Sequence, residues 1–372
     1  MNFIKHYAYT HTPLSFDFKQ TIERFFVEEI PLYTFSGKGN YLILKIQKTD
    51  MSTWKLITVL AKATGANERD IGYAGLKDKN ATSIQYISIP KQYEKDMYKN
   101  LTTERIKILE QTYNKTPIKI GHLKGNRFSI VLHHMHQTDA KHFETIAKEM
   151  QEKGIPNYYG YQRFGEDALS YLQGKEIAHS GKKLRGSKEK LLVAAYQSYL
   201  YNTWLSSRIK ISSVIQNKPM QEASLQLDYP KELIEALAKQ KPFFKLFLGD
   251  VMMPYPYGKT TFAYDMQNAS EHFFQKKLSP TGLLCGHHVI RAQNDARYLE
   301  EAFDDTELSS LKGDRRFAWI WPEEVNSIYD ASKKMLTVDF YLPKGSYATT
   351  FLEEIGKFSL KEKKEAPQKK FY

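Results

Sequence analysis

Segments in which apolar and polar residues alternate occur in the first half of this chain and again near its C-terminus, and they constrain its fold more than any other feature. Residues 128–132 and 336–342 have the two-residue apolar period of strands with one buried face. Residues 40–47, bracketed by glycine and polar residues, predict a further strand. Between these segments the texture changes, and Pro, Gly and Tyr concentrate around residues 253–259 and 279–286. Because strands return after this middle region, the pattern predicts a discontinuous domain with an insertion.

Helix boundaries can be predicted from terminal residues. Asp50 is the expected N-cap of a helix that ends near Gly65, and Thr138 is the expected N-cap of a helix that ends at residue 153. Residues 174–190 combine Gly and Ser with several basic residues, which predicts a loop or a domain junction. A further helix is expected over residues 191–205.

Composition and charge narrow the class of protein. The 372 residues are 41% hydrophobic and 26% charged, which indicates a globular chain of two or three domains. The 54 basic and 42 acidic residues leave a formal charge of +12, which favours a polyanionic partner such as nucleic acid or a membrane surface. The 25 Tyr and 21 Phe residues add rings on which unpaired bases could stack.

The single cysteine, Cys285, excludes an intramolecular disulfide framework and any multi-thiolate metal site, and it fits a reducing cytoplasm. No signal-peptide segment and no apolar run near 18 residues is found, so membrane insertion is not expected. The histidines within residues 133–142 and the segment Cys285-Gly286-His287-His288 offer incomplete ligand sets, so no bound metal is expected.

One motif carries a carboxylate in a tight loop. Gly72-Tyr73-Ala74-Gly75-Leu76-Lys77-Asp78-Lys79 precedes a strand-like stretch over residues 83–89. Lysines on both sides of Asp78 would keep its carboxylate ionised and nucleophilic at the mouth of a cleft. An exposed aspartate in a polar turn is the alternative on this local pattern.

A second motif combines rings with hydrogen-bonding side chains. Asn157-Tyr158-Tyr159-Gly160-Tyr161-Gln162-Arg163-Phe164-Gly165 supplies stacking faces, amides and a guanidinium, which suits a base taken out of its stack. The alternative is an aromatic cluster that fills core space beneath a loop.

These two motifs, in this order, resemble those of the TruD family of tRNA pseudouridine synthases. Further segments resemble the family in the expected order across residues 25–349, which is nearly the whole chain: Phe25-Phe26-Val27-Glu28-Glu29, Lys124-Gly125-Asn126-Arg127-Phe128, a helix over residues 191–202, and Pro343-Lys344-Gly345-Ser346-Tyr347-Ala348-Thr349.

The resemblance implies a fold and an activity. The fold is α+β: a pseudouridine synthase domain with a mixed, mainly antiparallel central sheet, interrupted by an α/β TRUD insertion. Residues 1–182 and 321–372 would form the catalytic domain and residues 183–320 the insertion, with the cleft between them. The implied reaction isomerises uridine 13 in the D-arm of tRNA to pseudouridine, without a metal or nucleotide cofactor. The implied partner is tRNA, and no association with a membrane is expected. The enzyme is expected to act in the cytoplasm as a monomer.

The resemblance also assigns roles to residues. Asp78 matches the catalytic aspartate, and Lys19 lies at the position of a lysine expected to hold Asp78 ionised. Whether Asp78 attacks C1′ or the pyrimidine ring, or deprotonates C2′, stays open. Arg163 would either contact a phosphate or brace its loop, and Tyr159 departs from the family's more common Phe. The expected substrate-binding residues are Phe25, Asn157, Tyr159, Gln162, Arg163 and Tyr347, and the expected RNA-binding lysines are Lys77, Lys79, Lys182, Lys183 and Lys188.

Other classes remain as alternatives on the residues alone. A non-catalytic RNA-binding module would use the same basic and aromatic residues. A methyltransferase is favoured only by the fragment Gly37-Lys38-Gly39, which lacks the third glycine of a nucleotide loop. No P-loop occurs, and the absence of a Pro-Cys-x-x-Cys segment excludes a zinc deaminase.

Overall fold

The computed structural model describes residues 4–96, 101, 103–165, 167–182, 184 and 186–360. Its contacts divide the chain into two compact units. We call Leu14–Gln151 with Pro322–Gly345 the sheet unit, and the described residues of Met1–Pro13, Glu152–Trp321 and Ser346–Tyr372 the helical unit. Residues 152–182 group with the insertion region here, whereas the family resemblance assigned them to the catalytic domain. The predicted domain division stays a prediction.

An eight-stranded sheet forms the centre of the sheet unit. Its strands are β1 (Phe25–Pro31), β2 (Tyr41–Thr49), β3 (Gly72–Tyr73), β4 (Thr82–Pro90), β5 (Ile106–Asn114), β6 (Leu123–His133), β13 (Glu323–Asp330) and β14 (Met335–Pro343). They lie in the order β13-β14-β6-β1-β4-β2-β5, with β3 paired to β4. Only β1 and β4 are parallel among the described pairs of this sheet. The predicted strands are therefore confirmed, as is the mixed, mainly antiparallel α+β fold.

Among the helices whose bounds lie within the described residues, α1 (Thr53–Thr64) and α2 (Gln137–Lys153) belong mainly to the sheet unit. The N-cap of α1 is Ser52, whose hydroxyl accepts from the Lys55 amide at 3.2 Å, so the prediction of Asp50 as the cap was wrong. Gly65 ends α1 with φ 73°, a left-handed conformation that glycine adopts without strain. Thr138 lies inside α2 rather than capping it. Both helices exist as predicted, but neither starts after the predicted cap: Ser52 caps α1, and α2 begins at Gln137.

The helical unit contains most of the helices. They are α3 (Ser170–His179), α4 (Gly186–Asn217), α5 (Met220–Leu227), α6 (Lys231–Ala238), α7 (Met266–Phe274), α8 (Asn294–Glu301) and α9 (Ala348–Gly356). Its short strands are β7 (Ile155–Pro156), β8 (Val251–Pro254), β9 (Thr261–Phe262), β10 (Leu278–Leu284), β11 (Asp314–Phe317) and β12 (Trp319–Ile320). The strands pair in the orders β11-β10-β8-β9 and β12-β7.

The predicted loop over residues 174–190 was largely wrong, since α3 and the start of α4 occupy most of it. Gly174 is buried inside α3, where a Cβ would lie 2.0 Å from the Leu192 carbonyl oxygen of α4. Glycine is therefore present here because two helices approach closely, and not because the chain turns.

Buried groups of the helical unit are structural in character. Arg208 and Asp250 form a two-bond ion pair at 2.8 and 2.7 Å, and both are almost fully buried. Cys285 is buried, and that burial raises the pKa of its thiol to about 12, so the thiol is unreactive at neutral pH. Among the described residues, no helix combines the length and the apolar character needed to cross a membrane.

Candidate active site

The loop between β3 and β4 carries Asp78 and is fixed by hydrogen bonds to buried polar groups. Asp78 itself is exposed to solvent, as is Lys79. The neighbouring Lys77 is buried, and its ammonium donates to the Glu29 carboxylate of β1 at 2.6 Å. The Lys77 amide donates to the Thr53 hydroxyl at the start of α1 at 2.9 Å. The loop backbone is thus fixed on the amino-terminal side of Asp78.

Lys48 of β2 fixes the loop at Asp78 itself. Its ammonium donates to the backbone carbonyl of Asp78 at 3.0 Å and also to the carbonyl of Met51. Lys48 is fully buried. Burial lowers the pKa of Lys48 to about 8; the Asp78 carboxylate acts to raise it, and the Lys77 ammonium lowers it further. The arrangement pins the loop while leaving the Asp78 side chain exposed.

Lys48 is a functional candidate that the motifs did not single out, although a signal was present. In β2 the residues Leu42, Leu44 and Ile46 all lie on the buried face, and Lys48 continues the same period. A lysine in a buried strand position needs hydrogen-bond acceptors, since burying an unpaired charge costs several kcal/mol. The alternation of buried residues in β2 therefore indicates that Lys48 has a polar partner nearby, but it does not show which residue that is.

Unsatisfied polar atoms lie on the same face of the sheet. Ser83 pairs in register with Lys48, and Gln85 with Ile46. Both side chains are fully buried, and within the described part of the chain the Ser83 hydroxyl and the Gln85 amide nitrogen have no hydrogen-bond partner. The Gln85 carbonyl oxygen accepts from Thr53 at 3.0 Å, which links it to the loop anchor. Buried polar atoms without partners are rare, and they leave hydrogen-bonding capacity next to the anchored loop.

Lys19 and Phe25 occupy different settings in the sheet unit. The Thr82 hydroxyl donates to the Ile22 carbonyl at 2.9 Å, so the segment after Lys19 lies against the start of β4, which follows the Asp78 loop. The Lys19 ammonium is 3.8 Å from the Asp17 carboxylate, and its side chain is half exposed. Phe25 is buried against Phe18 and Phe128. Its ring therefore belongs to the sheet unit's core in this structure.

In the helical unit, Asn157 is held by Arg316 of β11. The Arg316 guanidinium donates to the Asn157 side-chain oxygen at 2.9 Å and to its backbone carbonyl at 3.1 Å. The Asn157 side-chain nitrogen donates to the Phe317 carbonyl at 2.9 Å. Asn157 is almost fully buried, and both ends of its amide bind protein groups. Its predicted contact with substrate stays a prediction.

Tyr159 stands at the centre of an aromatic and cationic cluster. The Arg316 guanidinium lies 3.9 Å from its ring centroid, and the Tyr347 ring packs edge-on at 5.9 Å. Its backbone amide and carbonyl bond to the Asn202 side chain at 2.8 and 2.9 Å. Tyr159 and Tyr347 are half-buried, so part of each ring stays accessible. The structure brings these two predicted residues together.

Gln162 and Arg163 hold the same segment in place. The Gln162 side-chain oxygen accepts from the Thr349 hydroxyl at 3.1 Å. Arg163 donates to the Ser198 hydroxyl at 2.9 Å and to the Ala194 carbonyl at 3.3 Å, and both acceptors lie on α4. Of the two expected roles for Arg163, these contacts are those of a brace. A Cβ at Gly160 would lie 2.6 Å from the Gln162 oxygen, so a larger residue there would displace this side chain.

Replacing Arg316 with lysine is expected to destabilise the protein by about 2–3 kcal/mol. A lysine keeps the charge but cannot supply the planar fork that binds Asn157 and stacks on Tyr159, and buried acceptors are left unpaired. The midpoint of thermal unfolding, followed by circular dichroism, measures the loss. Arg297→Lys is the matched control, since Arg297 is more exposed and pairs with Glu300 of α8 and with Asp304 beyond the end of that helix. Equal stability of the two variants would contradict a special contribution from Arg316.

The predicted RNA-binding lysines differ in their exposure. Lys79, Lys182 and Lys188 are exposed. Lys77 is paired with Glu29 in the protein interior, so its ammonium is not presented to solvent and its predicted RNA contact gains no support. Lys183 lies outside the described residues. Within the described part of the chain, no group of three or more His, Cys, Asp or Glu side chains could hold a metal ion.

Comparison with known proteins finds consistent relatives. The family model described as tRNA pseudouridine synthase D (TruD) matches residues 3–183 and 169–355. A tRNA pseudouridine synthase D from a Nitratiruptor species is 47% identical over 352 residues, which cover 94% of this chain and 97% of that protein. One from Sulfurimonas denitrificans is 42% identical, covering 94% and 98%. A crystal structure from Methanosarcina mazei, described as a TruD protein, has a TM-score of 0.66 at 20% identity and covers 96% of this chain and 97% of its own.

Proposed function

This chain belongs to the TruD family of tRNA pseudouridine synthases, and from that premise we propose that it isomerises uridine 13 in the D-arm of tRNA with Asp78 as nucleophile. The reaction exchanges the N1–C1′ glycosidic bond for a C5–C1′ bond, releases the proton on C5 and protonates N1. Electrons and atoms balance within the nucleotide and water, so no redox partner or group donor is required.

The observation that carries this proposal is the exposed carboxylate of Asp78 on an anchored loop. Lys48, Thr53 and Glu29 hold the loop through one carbonyl, one amide and one side chain. A nucleophile gains most when its position is fixed before the substrate arrives, because the ordering entropy has already been paid. The half-buried rings of Tyr159 and Tyr347 are proposed to contact RNA bases. Taking a uridine out of the D-arm stack costs about a few kcal/mol, which such contacts can offset.

Release of tritium from tRNA transcripts labelled at uridine C5 tests the proposal. We expect about one equivalent per transcript, because only one site is modified, and none from a transcript with cytidine at position 13. A protein that binds tRNA without releasing tritium would be a binding module. Release from the cytidine-13 transcript would place the target elsewhere. A methyltransferase would instead act only when S-adenosylmethionine is added.

The exposed lysines near the start of α4 are expected to contribute to tRNA affinity by neutralising phosphates. The double variant Lys182→Ala/Lys188→Ala should weaken binding and reduce the slope of log K against log salt by about 2, since each phosphate that is no longer neutralised lowers it by about 0.9. Filter binding at several salt concentrations gives this slope. Lys148→Ala/Lys239→Ala is the matched control, since each of those lysines pairs with a glutamate four residues earlier in the chain. An unchanged slope in the first variant would remove this region from the RNA footprint.

A further inference from the structure

Two large apolar side chains beside the Asp78 loop are exposed. Trp54, in the first turn of α1, and Leu76, two residues before Asp78, are each 58% exposed. The Trp54 ring packs edge-on against Tyr73 at 5.8 Å between centroids. Tyr73 ends β3 and leads directly into the loop. The contact orients the Trp54 ring and still leaves more than half of the residue in water.

Trp54 and Leu76 lie on two segments that are joined by a hydrogen bond. The hydrogen bond from the Lys77 amide to the Thr53 hydroxyl joins the loop to the start of α1. Trp54 and Leu76 are each one residue away from this bonded pair. Lys55 and Lys79, which follow in the same two segments, are exposed. The oriented indole, with exposed lysines in the same two joined segments, offers a stacking face together with phosphate contacts.

We propose that Trp54 and Leu76, with Lys55 and Lys79, form a surface that receives an unpaired nucleotide of the RNA substrate next to the target uridine. This inference rests on the proposed function. When one base leaves the stack, its neighbour loses a stacking partner, and an indole can replace that partner. A second copy of this chain is a poorer occupant, because both copies would bring the same lysines and a net charge of +12 to the interface.

Tryptophan fluorescence tests the surface directly. The chain has four tryptophans, and Trp204, Trp319 and Trp321 are at most 4% exposed, so acrylamide quenching reports mainly on Trp54. Saturating tRNA is expected to lower the quenching constant by about half or more. Trp54→Phe should abolish this tRNA-dependent change while retaining most of the affinity, since a phenyl ring can still stack. Trp54→Ala should raise the tRNA Kd on the order of 10-fold.

The control is Ile328→Ala, at a residue 64% exposed on β13, an edge strand of the same sheet. Its tRNA Kd should stay within about 2-fold of wild type. Unchanged quenching of Trp54 at saturating tRNA overturns the inference, and so does protection that grows with protein concentration in the absence of RNA, which would indicate a second copy. Tritium release by the wild-type protein distinguishes failure of this inference from failure of the proposed function. An active enzyme with an accessible Trp54 loses only this inference, whereas failure to release tritium removes the proposed function.

Discussion

Asp78→Asn is expected to lower kcat for tritium release on the order of 10³-fold or more, because an amide cannot act as the nucleophile or accept the proton that the carboxylate would take. The substitution is nearly isosteric. None of the three hydrogen bonds that hold the loop uses the Asp78 carboxylate. Lys48 binds the Asp78 backbone carbonyl, and Lys77 binds Thr53 and Glu29, so these bonds stay intact when the carboxylate becomes an amide. The tRNA Kd should therefore remain within about 3-fold of wild type.

Asp70→Asn is the matched control for this loss. Asp70 is an exposed carboxylate in the same unit, eight residues before Asp78, and should be replaceable without a change in kcat. Single-turnover kinetics with labelled tRNA measure the chemical step for both variants. Full turnover by Asp78→Asn would show that another residue is the nucleophile, even though the family assignment would stand.

The fold was largely predictable from the sequence because its strands carry clear periodic patterns. The alternation over residues 128–132 and 336–342 belongs to β6 and β14, which pair along nine residues even though most of the chain separates them. The helix ends were less predictable. Asp50 and Ser52 are both good capping residues, and only the path of the backbone out of β2 selects Ser52. Gly174 looked like a turn residue because close helix packing has no local signature.

The candidate site was predictable where a motif names a residue, and not where distant segments meet. Asp78 is exposed on its loop, which is compatible with the proposed role of nucleophile. Lys77 carries the same charge as Lys79 but is turned inward by Glu29, which lies 48 residues earlier. Arg316 binds Asn157 across 159 residues, and nothing near either residue indicates the contact. Burial and pairing depend on tertiary contacts, so local charge patterns overcounted the lysines available to RNA.

Lys48→Met is expected to lower kcat about 10- to 100-fold with little change in tRNA Kd. Methionine has a similar length but no donor, so the carbonyls of Asp78 and Met51 lose their partner and the loop is free to shift. A displacement of about 1 Å at a reacting group can cost about 10²-fold in rate. The effect of Lys48→Met on the free energy of unfolding should be smaller than its effect on the activation free energy, because removing a buried charge offsets part of the loss of hydrogen bonds. Lys48→Arg, which restores a charged donor, should recover part of kcat.

Lys45→Met separates this effect from a general loss of charge on β2. Lys45 lies on the opposite face of the strand and pairs with Glu28 and Glu110, so its removal should leave kcat unchanged.

The pH profile of kcat adds a second readout of the role of Lys48. Lys48 loses its proton as the pH rises through its pKa of about 8, so wild-type kcat should fall there and Lys48→Met should lack that fall. The free energy of unfolding should depend on pH in the opposite direction to kcat. Between about pH 8 and 10.5 Lys48 binds fewer protons in the folded state than in the unfolded state, so its contribution to stability rises with pH. Equal kcat for wild type and Lys48→Met across this range would show that Lys48 does not position Asp78.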